Sequence, residues 1–173
     1  MNSKQNLFWI FLCCFLLYSG CGSPPPSELG ELYPVKITVV DQDTPLEGVR
    51  VTLVKKNTTS AWGCAGTSDK HGVAVITTST NAFSGKGVPG GVYTITLGKT
   101  PPFPKELEPQ QEEDSLPNRE FNALQKKRKE FLEQNRIIPE ILEAAKTSPI
   151  EMTIEKDSGT MSVDISKYTL QRQ

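Results

Sequence analysis

The fold of this chain is decided by residues 45–54, which read PLEGVRVTLV. After Gly48, apolar side chains alternate with Arg50 and Thr52 up to Val54. A period of two residues is typical of a β-strand that turns one face toward a core. We therefore predict a strand here, preceded by a turn.

The same period recurs on both sides of this strand. It predicts strands at 35–40, 73–78 and 92–97, an irregular strand near 61–64, and a final hairpin of 150–155 with 161–166. Residues 79–87 are polar and contain glycine, which favours a loop. The side chains expected to face inward are Val35, Ile37, Val49, Val51, Val75, Ile95, Ile154 and Val163. Together these patterns predict a mainly β chain of about seven short antiparallel strands.

The composition changes between residues 99 and 149. The prolines of 101–117 exclude helix and strand and favour an excursion of polyproline II type. Residues 115–118 offer helix caps, and a helix is expected to run from there to about Arg136. Its apolar stripe consists of Phe121, Leu124, Phe131 and Leu132. Arg128 falls on this stripe, and its guanidinium is expected to reach out to solvent. This helical insertion precedes the last hairpin and is expected to cover its own sheet; covering a partner is the alternative.

Three segments share the pattern of one known family. They read TPLEGVRVTL at 44–53, GTSDKHGVAVI at 66–76 and VPGGVYTITL at 88–97. Together they resemble the carboxypeptidase-regulatory-like domain, a transthyretin-like (prealbumin-like) β-sandwich with a carbohydrate-binding-like fold. The resemblance implies that the strands form a seven-stranded antiparallel β-sandwich. Ser68 departs from the family's pattern, since it stands between the expected Thr and Asp.

The N-terminal segment has the layout of an export signal. Lys4 precedes an apolar run at residues 7–17, which is shorter than the roughly 20 residues that a membrane span requires. Ser19, Gly20 and Cys21 follow. This tripeptide resembles the lipobox of bacterial lipoproteins, although Tyr18 stands where the family usually has Leu.

This resemblance implies a lipoprotein signal peptide at 1–20 and a lipid, palmitate included, on Cys21. Gly22 in place of Asp implies sorting to the outer membrane, and a plain secretory signal is the alternative. A flexible tether rich in Pro and Gly is expected at 21–32. The β-sandwich domain would then span 33–167, with the helical insertion at about 99–149.

Charge and rare residues limit the chemistry of the chain. Its 173 residues carry 19 Lys and Arg against 20 Asp and Glu, a net charge of −1, which argues against a nucleic-acid partner. His71 is the single histidine and hence the only imidazole that could assist a Ser, Thr or Cys nucleophile. A catalytic pair of Cys64 with His71 is one alternative; we expect a buried Cys64 and a His71 in an exposed turn instead. Asp41, Asp43 and Asp69 suit a calcium loop or ordinary turns, and we favour turns. No catalytic residue, metal or other cofactor is expected.

Three aromatic residues, Trp62, Phe83 and Tyr93, are a candidate ligand surface that would stack on sugars, but we favour ordinary core packing for them. The function expected is that of a non-enzymatic, lipid-anchored protein of the bacterial cell envelope, used as a structural or adhesion-type binding module. A carbohydrate-binding accessory domain is the alternative. The expected partners are the membrane, through the lipid on Cys21, and an envelope protein or polysaccharide.

Overall fold

A computed structural model describes residues 26–57, 61–109, 117–157 and 159–169. The strands are β1 (Leu32–Tyr33), β2 (Lys36–Asp41), β3 (Thr44–Pro45), β4 (Arg50–Lys55), β5 (Gly63–Thr67), β6 (Val73–Val75), β7 (Thr77–Ser79), β8 (Ser84–Lys86), β9 (Val88–Pro89), β10 (Gly91–Gly98), β11 (Glu151–Ile154) and β12 (Thr160–Asp164). The helices are α1 (Asn118–Gln134) and α2 (Ser166–Thr169), and 3-10 turns lie at Ser27–Leu29, Lys105–Leu107 and Glu140–Leu142.

The larger sheet of the described residues has the strand order β11-β10-β4-β5-β7-β8, and every neighbouring pair is antiparallel. At its centre Ile95 lies opposite Leu53 and Leu97 opposite Val51. All four side chains are buried. The alternation in the sequence therefore marks the inner face of this sheet.

A second sheet is built around β2. Strands β3 and β6 pair with one edge of β2 and β12 with the other, and β1 pairs with β9 in a separate short ribbon. Ile37 and Val39 of β2 share one buried core with Val51 and Ile95 of the larger sheet. Two layers that enclose a common apolar core form a β-sandwich, as the sequence predicted in outline.

The strand predicted at 73–78 is two strands in different sheets, β6 and β7. Ile76 marks the crossing: its N–H donates to the carbonyl of Val35, and its own carbonyl accepts from Gly87. Ala74 lies opposite buried Ile37, so the neighbouring Val75 points outward and is 46% exposed. The inward position predicted for Val75 is wrong because the pairing with β2 determines which face of β6 is buried.

The loop predicted at 79–87 also contains a strand. Residues Ser84–Lys86 form β8, which pairs with β7 in an antiparallel hairpin. The segment is short and polar because β8 is an edge strand, whose side chains need not enter the core.

The final hairpin predicted from the sequence does not form. Strand β11 pairs with β10 in the larger sheet, whereas β12 runs parallel to β2 in the second sheet. Alternation shows that each strand has one buried face, but not which layer covers it. The sandwich is consequently not antiparallel throughout.

The insertion lies between β10 and β11, as expected, and α1 occupies its middle. Pro117 precedes the helix without any side-chain cap, and Ser115 lies outside the described residues. The described residues of the proline-rich part include a 3-10 turn, although no helical structure was expected there. Ile138, which follows α1, and Leu142 are fully buried and anchor the insertion to the core.

Arg128 does not reach solvent, contrary to expectation. Arg128 is 7% exposed, and its Nε donates a 2.8 Å hydrogen bond to the carbonyl oxygen of Leu107. On the same side of α1, the ring of Phe131 lies 5.6 Å from that of Phe103. The helix therefore packs on the proline-rich segment that precedes it, which supplies a partly buried acceptor for the guanidinium.

The chain is attached to the sandwich from Leu29 onward. Leu29 is buried, and Leu32 and Tyr33 pair with Pro89 and Val88. The later part of the segment 21–32, assigned to a tether from its composition, thus contacts the domain. Within the described ranges, no helix has the length and apolar character needed to cross a membrane.

Candidate functional site

A cleft of about 820 Å³ separates helix α1 from the outer face of the larger sheet. Its floor is formed by adjacent positions of β4 and β10, where Arg50 lies opposite Gly98 and Thr52 opposite Thr96. Successive side chains of a strand point to opposite faces. Since the intervening Val51 is buried in the core, the floor residues point outward into the cleft.

The wall of the cleft comes from α1 and the residues just after it. Lys129, Leu132, Glu133 and Arg136 line it. Their spacing of three, one and three residues places successive side chains on one face of a helix. The wall is therefore polar and charged over most of its length.

The end of the cleft is closed by the chain that leaves β10. Lys99, Thr100 and Pro101 line this end. The ammonium of Lys99 donates a 2.6 Å hydrogen bond to the carbonyl oxygen of Glu47. This bond fixes the position of the ammonium without neutralising its charge.

Two of the cationic groups in the cleft are paired with carboxylates. Arg136 contacts both Glu140 and Glu143 at 3.2 Å. Lys129 lies 3.9 Å from Glu133, in a pair exposed enough to contribute little to stability. The double contact of Arg136 attaches the end of α1 to the following 3-10 turn.

Arg50 is different, because its guanidinium makes no hydrogen bond or ion pair with the part of the chain that the structure describes. Next to it, a Cβ atom built on Gly98 would meet no atom within 4 Å. The floor beside Arg50 is thus open. Arg50 and Lys99 together leave positive charge in the cleft without a carboxylate to offset it.

The three aromatic residues of the candidate ligand surface do not share one exposed face. Tyr93 is fully buried, and its hydroxyl donates a 2.8 Å hydrogen bond to the carbonyl oxygen of Pro89. Burial raises the pKa of Tyr93 to about 12, the nearby Cys64 adds to the rise, and a hydrogen bond with the Trp62 side chain opposes it. A buried ring offers no face to a sugar, so Tyr93 is a core residue.

Trp62 and Phe83 are half-buried at separate turns of the larger sheet. The ammonium of Lys55 lies 5.6 Å from the centre of the Trp62 ring, as in a cation–π contact. The ring of Phe83 packs over Gly85, where a Cβ atom would come within 2.4 Å of it. Both rings thus have partners within the chain.

Cys64 and His71 are not brought together. The thiol of Cys64 is buried and lies 3.3 Å from the hydroxyl of Thr78, whereas His71 is exposed in the turn before β6. Burial raises the pKa of the Cys64 thiol, although the contacts with Thr78 and Lys55 oppose the rise. A buried thiol with a raised pKa is a poor nucleophile at neutral pH.

Asp69 acts as a turn residue, as favoured from the sequence. Its carboxylate accepts hydrogen bonds from the backbone N–H groups of His71 (2.8 Å) and Val73 (3.0 Å). These bonds, that of Val73 foremost, lower the pKa of the Asp69 carboxyl. No cluster of three or more His, Cys, Asp or Glu positioned for a metal ion occurs within the described ranges.

Cys21, the predicted lipidation site, lies outside the described residues. The cleft, in turn, was not predicted from the sequence. The alternation in 45–54 does predict that Arg50 and Thr52 point outward, and so it indicates part of the floor of the cleft. Nothing in the sequence brings α1 over these positions, so the opposite wall could not be found in this way.

No protein family model matches the sequence, and no curated protein matches it. One solved structure similar to this chain is BcpA, the major pilin subunit of Bacillus cereus, with 17% sequence identity and a TM-score of 0.37. The match covers 78% of this chain and 29% of the pilin chain, so this chain spans less than a third of that structure. A likeness at this level carries no argument about function.

Proposed function

We propose that this chain is a non-enzymatic, lipid-anchored protein of the bacterial cell envelope, whose β-sandwich is a structural or adhesion-type binding module. The observation that carries the proposal is the apolar run at 7–17 followed by Ser19, Gly20 and Cys21. An apolar run too short to span a membrane, with small residues and a cysteine behind it, suits cleavage before Cys21 and acylation of its sulfur.

The distance from the anchor to the domain is short in this proposal. Among the described residues, Leu29 is the earliest buried one, and seven residues, 22–28, lie between it and Cys21 in the sequence. Fully extended, they reach at most about 25 Å. An acylated chain would therefore hold the sandwich close to the membrane surface, where each buried methylene of the lipid contributes about 0.8 kcal/mol to anchoring.

We also propose that the sandwich is a transthyretin-like domain of the carboxypeptidase-regulatory-like kind. The three motifs support this because each covers a junction between a turn and a strand. Residues 44–53 lead through β3 into β4, 66–76 lead into β6, and 88–97 join β9 to β10. Two features depart from the antiparallel sandwich that the resemblance implies: β12 is parallel to β2, and residues 73–79 form two strands, β6 and β7.

A binding role is supported by the distribution of chemical groups. Cys64 is buried with a raised pKa, whereas His71 is exposed in the turn before β6, so these two residues do not form a nucleophile and base pair. The cleft beside α1, in contrast, offers an open surface on which the positive charges of Arg50 and Lys99 are not offset by a carboxylate of the described residues. The carbohydrate-binding alternative loses its aromatic surface with the burial of Tyr93, and keeps support only from this cleft.

Acylation is tested by expressing the full chain in a double-membraned bacterium with an alkyne analogue of palmitate. We expect a labelled protein in the membrane fraction and an acylated Cys21 at the mature N-terminus by mass spectrometry. Cys21→Ser should remove the label, whereas Cys64→Ala, the matched control, should keep it. An unmodified Cys21, or a mature N-terminus elsewhere, would overturn the proposal.

The same strain tests the destination. We expect the wild-type chain in the outer-membrane fraction after density separation. Gly22→Asp should move it to the inner membrane, because Asp after the lipidated cysteine is the retention signal in the lipoproteins that the N-terminus resembles. An inner-membrane location of the wild-type chain would contradict the outer-membrane assignment while leaving the anchor intact.

A further inference from the structure

We propose that the cleft between α1 and the larger sheet binds an anionic polysaccharide, a sugar polymer whose units carry carboxylate or phosphate groups. The inference rests on the proposed function as an envelope binding module and names its site and ligand class. It assigns the anion to the floor between Arg50 and Lys99.

The charge of the cleft selects an anion. Arg50 has no partner in the described part of the chain, and Lys99 is held by a carbonyl oxygen rather than a carboxylate. A guanidinium presents a planar fork of donors that matches a carboxylate or phosphate in two parallel hydrogen bonds. The whole chain has a net charge of −1, so this positive charge is a local property of the cleft.

The lining of the cleft favours a sugar over a peptide. Thr52, Thr96 and Thr100 line it and supply hydroxyl groups that donate and accept hydrogen bonds. A peptide that adds a strand binds at a free sheet edge, but at the floor positions Arg50 and Thr52 strand β4 is paired with β10 on one side and with β5 on the other. This part of the floor therefore has no free edge for a peptide.

Shape and size point the same way. The volume of about 820 Å³ lies within the range of ligand sites, roughly 300–1,000 Å³, and the cleft is open rather than closed. The open floor at Gly98 lets a ligand approach the backbone of β10 beside Arg50. Stacking platforms for nucleic-acid bases are absent from the cleft lining, which contains no aromatic side chain.

The test uses the full mature chain, purified in detergent micelles, and isothermal titration with four probes. These are oligogalacturonate of six units, a phosphorylated mannan oligosaccharide, neutral maltohexaose and a hexaglutamate peptide. We expect one or both acidic sugars to bind, with the carboxylate and phosphate arms showing which anion is preferred. Binding should weaken as NaCl is raised, while maltohexaose and hexaglutamate should not bind. Failure of both acidic sugars, or equal binding of hexaglutamate, would overturn the proposal.

Two pairs of variants locate the site. Arg50→Gln should weaken binding of the acidic sugar at least tenfold, whereas Lys86→Gln, an equal charge change on edge strand β8 of the same sheet, should not. Gly98→Phe should abolish binding by filling the floor. Gly63→Phe is its control, since Gly63 also lies on a strand of this sheet with no atom within 4 Å of an added Cβ, but outside the cleft.

Circular dichroism and thermal unfolding check that each variant is folded. If Arg50→Gln binds the acidic sugar as well as the wild type does, the binding site does not lie in the cleft. This conclusion holds even if Gly98→Phe fails to fold. A chain that is acylated on Cys21 but binds no acidic sugar would overturn this inference alone. A chain that binds the sugar through Arg50 but carries no lipid would overturn the anchor and leave the site.

Discussion

The side-chain hydroxyl of Ser68 accepts a 2.8 Å hydrogen bond from the backbone N–H of Val49, at a buried point where β4 begins. The same hydroxyl donates to the carbonyl oxygen of Leu46 at 2.6 Å. Ser68 is the residue that departs from the pattern of the carboxypeptidase-regulatory-like domain. The departure therefore has a structural role: it joins the turn before β4 to the turn after β5.

Ser68→Ala removes this link. It leaves the N–H of buried Val49 without its acceptor, so we expect the free energy of unfolding to fall by about 1–3 kcal/mol. Urea denaturation measures the change. Thr67→Ala, at the exposed neighbouring position, should change stability by no more than about 0.5 kcal/mol. Equal losses in the two variants would show that the hydroxyl of Ser68 does not carry the link.

The crossing of the chain from β6 to β7 is tested by a pair of adjacent residues. Ile76 is fully buried and Val75 is 46% exposed. We expect Ile76→Ala to cost about 2–5 kcal/mol of unfolding free energy, because it removes buried methyl groups and leaves a cavity. Val75→Ala should cost less than about 1 kcal/mol. A larger loss of stability for Val75→Ala than for Ile76→Ala would support the continuous strand predicted from the sequence.

The buried hydroxyl of Tyr93 predicts loss of stability at high pH. Burial raises the pKa of Tyr93 from 10.0 to about 12, so the folded chain keeps a proton that the unfolded chain releases. The stability linked to this group is present below pH 10 and is lost as pH rises toward 12. Tyr93→Phe should flatten the fall between pH 10 and 12, measured as the difference between the two proteins in urea midpoint. Parallel curves would contradict the raised pKa.

The hydrogen bond between Arg128 and Leu107 leads to a prediction about the stability of the insertion. The guanidinium of Arg128 binds the carbonyl oxygen of Leu107, so Arg128→Ala should free the 3-10 turn at Lys105–Leu107. We expect trypsin to cut after Lys105 several-fold faster in this variant than in the wild type. Lys127→Ala, at an exposed position of the same helix, should leave the rate of this cut unchanged. Equal rates in both variants would mean that Arg128 does not hold the turn.

Much of the sandwich could be predicted from local patterns. The alternation at 35–40, 49–54 and 92–97 identified three strands and their buried faces, because the two-residue period of a strand is visible in consecutive residues. The change of composition at 99–149 identified the insertion between β10 and β11. The lipid on Cys21 stays a prediction, since that residue lies outside the described part of the chain.

Pairing between distant strands could not be predicted in the same way. Apolar and polar side chains alternate in both residues 150–154 and residues 160–164. Two such strands that are close in the sequence most simply pair with each other as a hairpin. They pair instead with β10 and β2, in separate layers. The face of β6 was misassigned for a similar reason, since Ala74 and not Val75 meets Ile37 across the sheet.

The amino-acid sequence by itself determined that the chain is mainly β, where most strands lie, and that a helix interrupts them. These properties depend on residues a few positions apart, whose spacing alone sets which side chains share a face. Only the tertiary structure decided that β11 and β12 separate, that Arg128 is buried, and that α1 stands over Arg50 with a cleft between them. Those features arise from contacts between segments far apart in the chain, and packing of the whole core selects among arrangements that the local pattern permits equally.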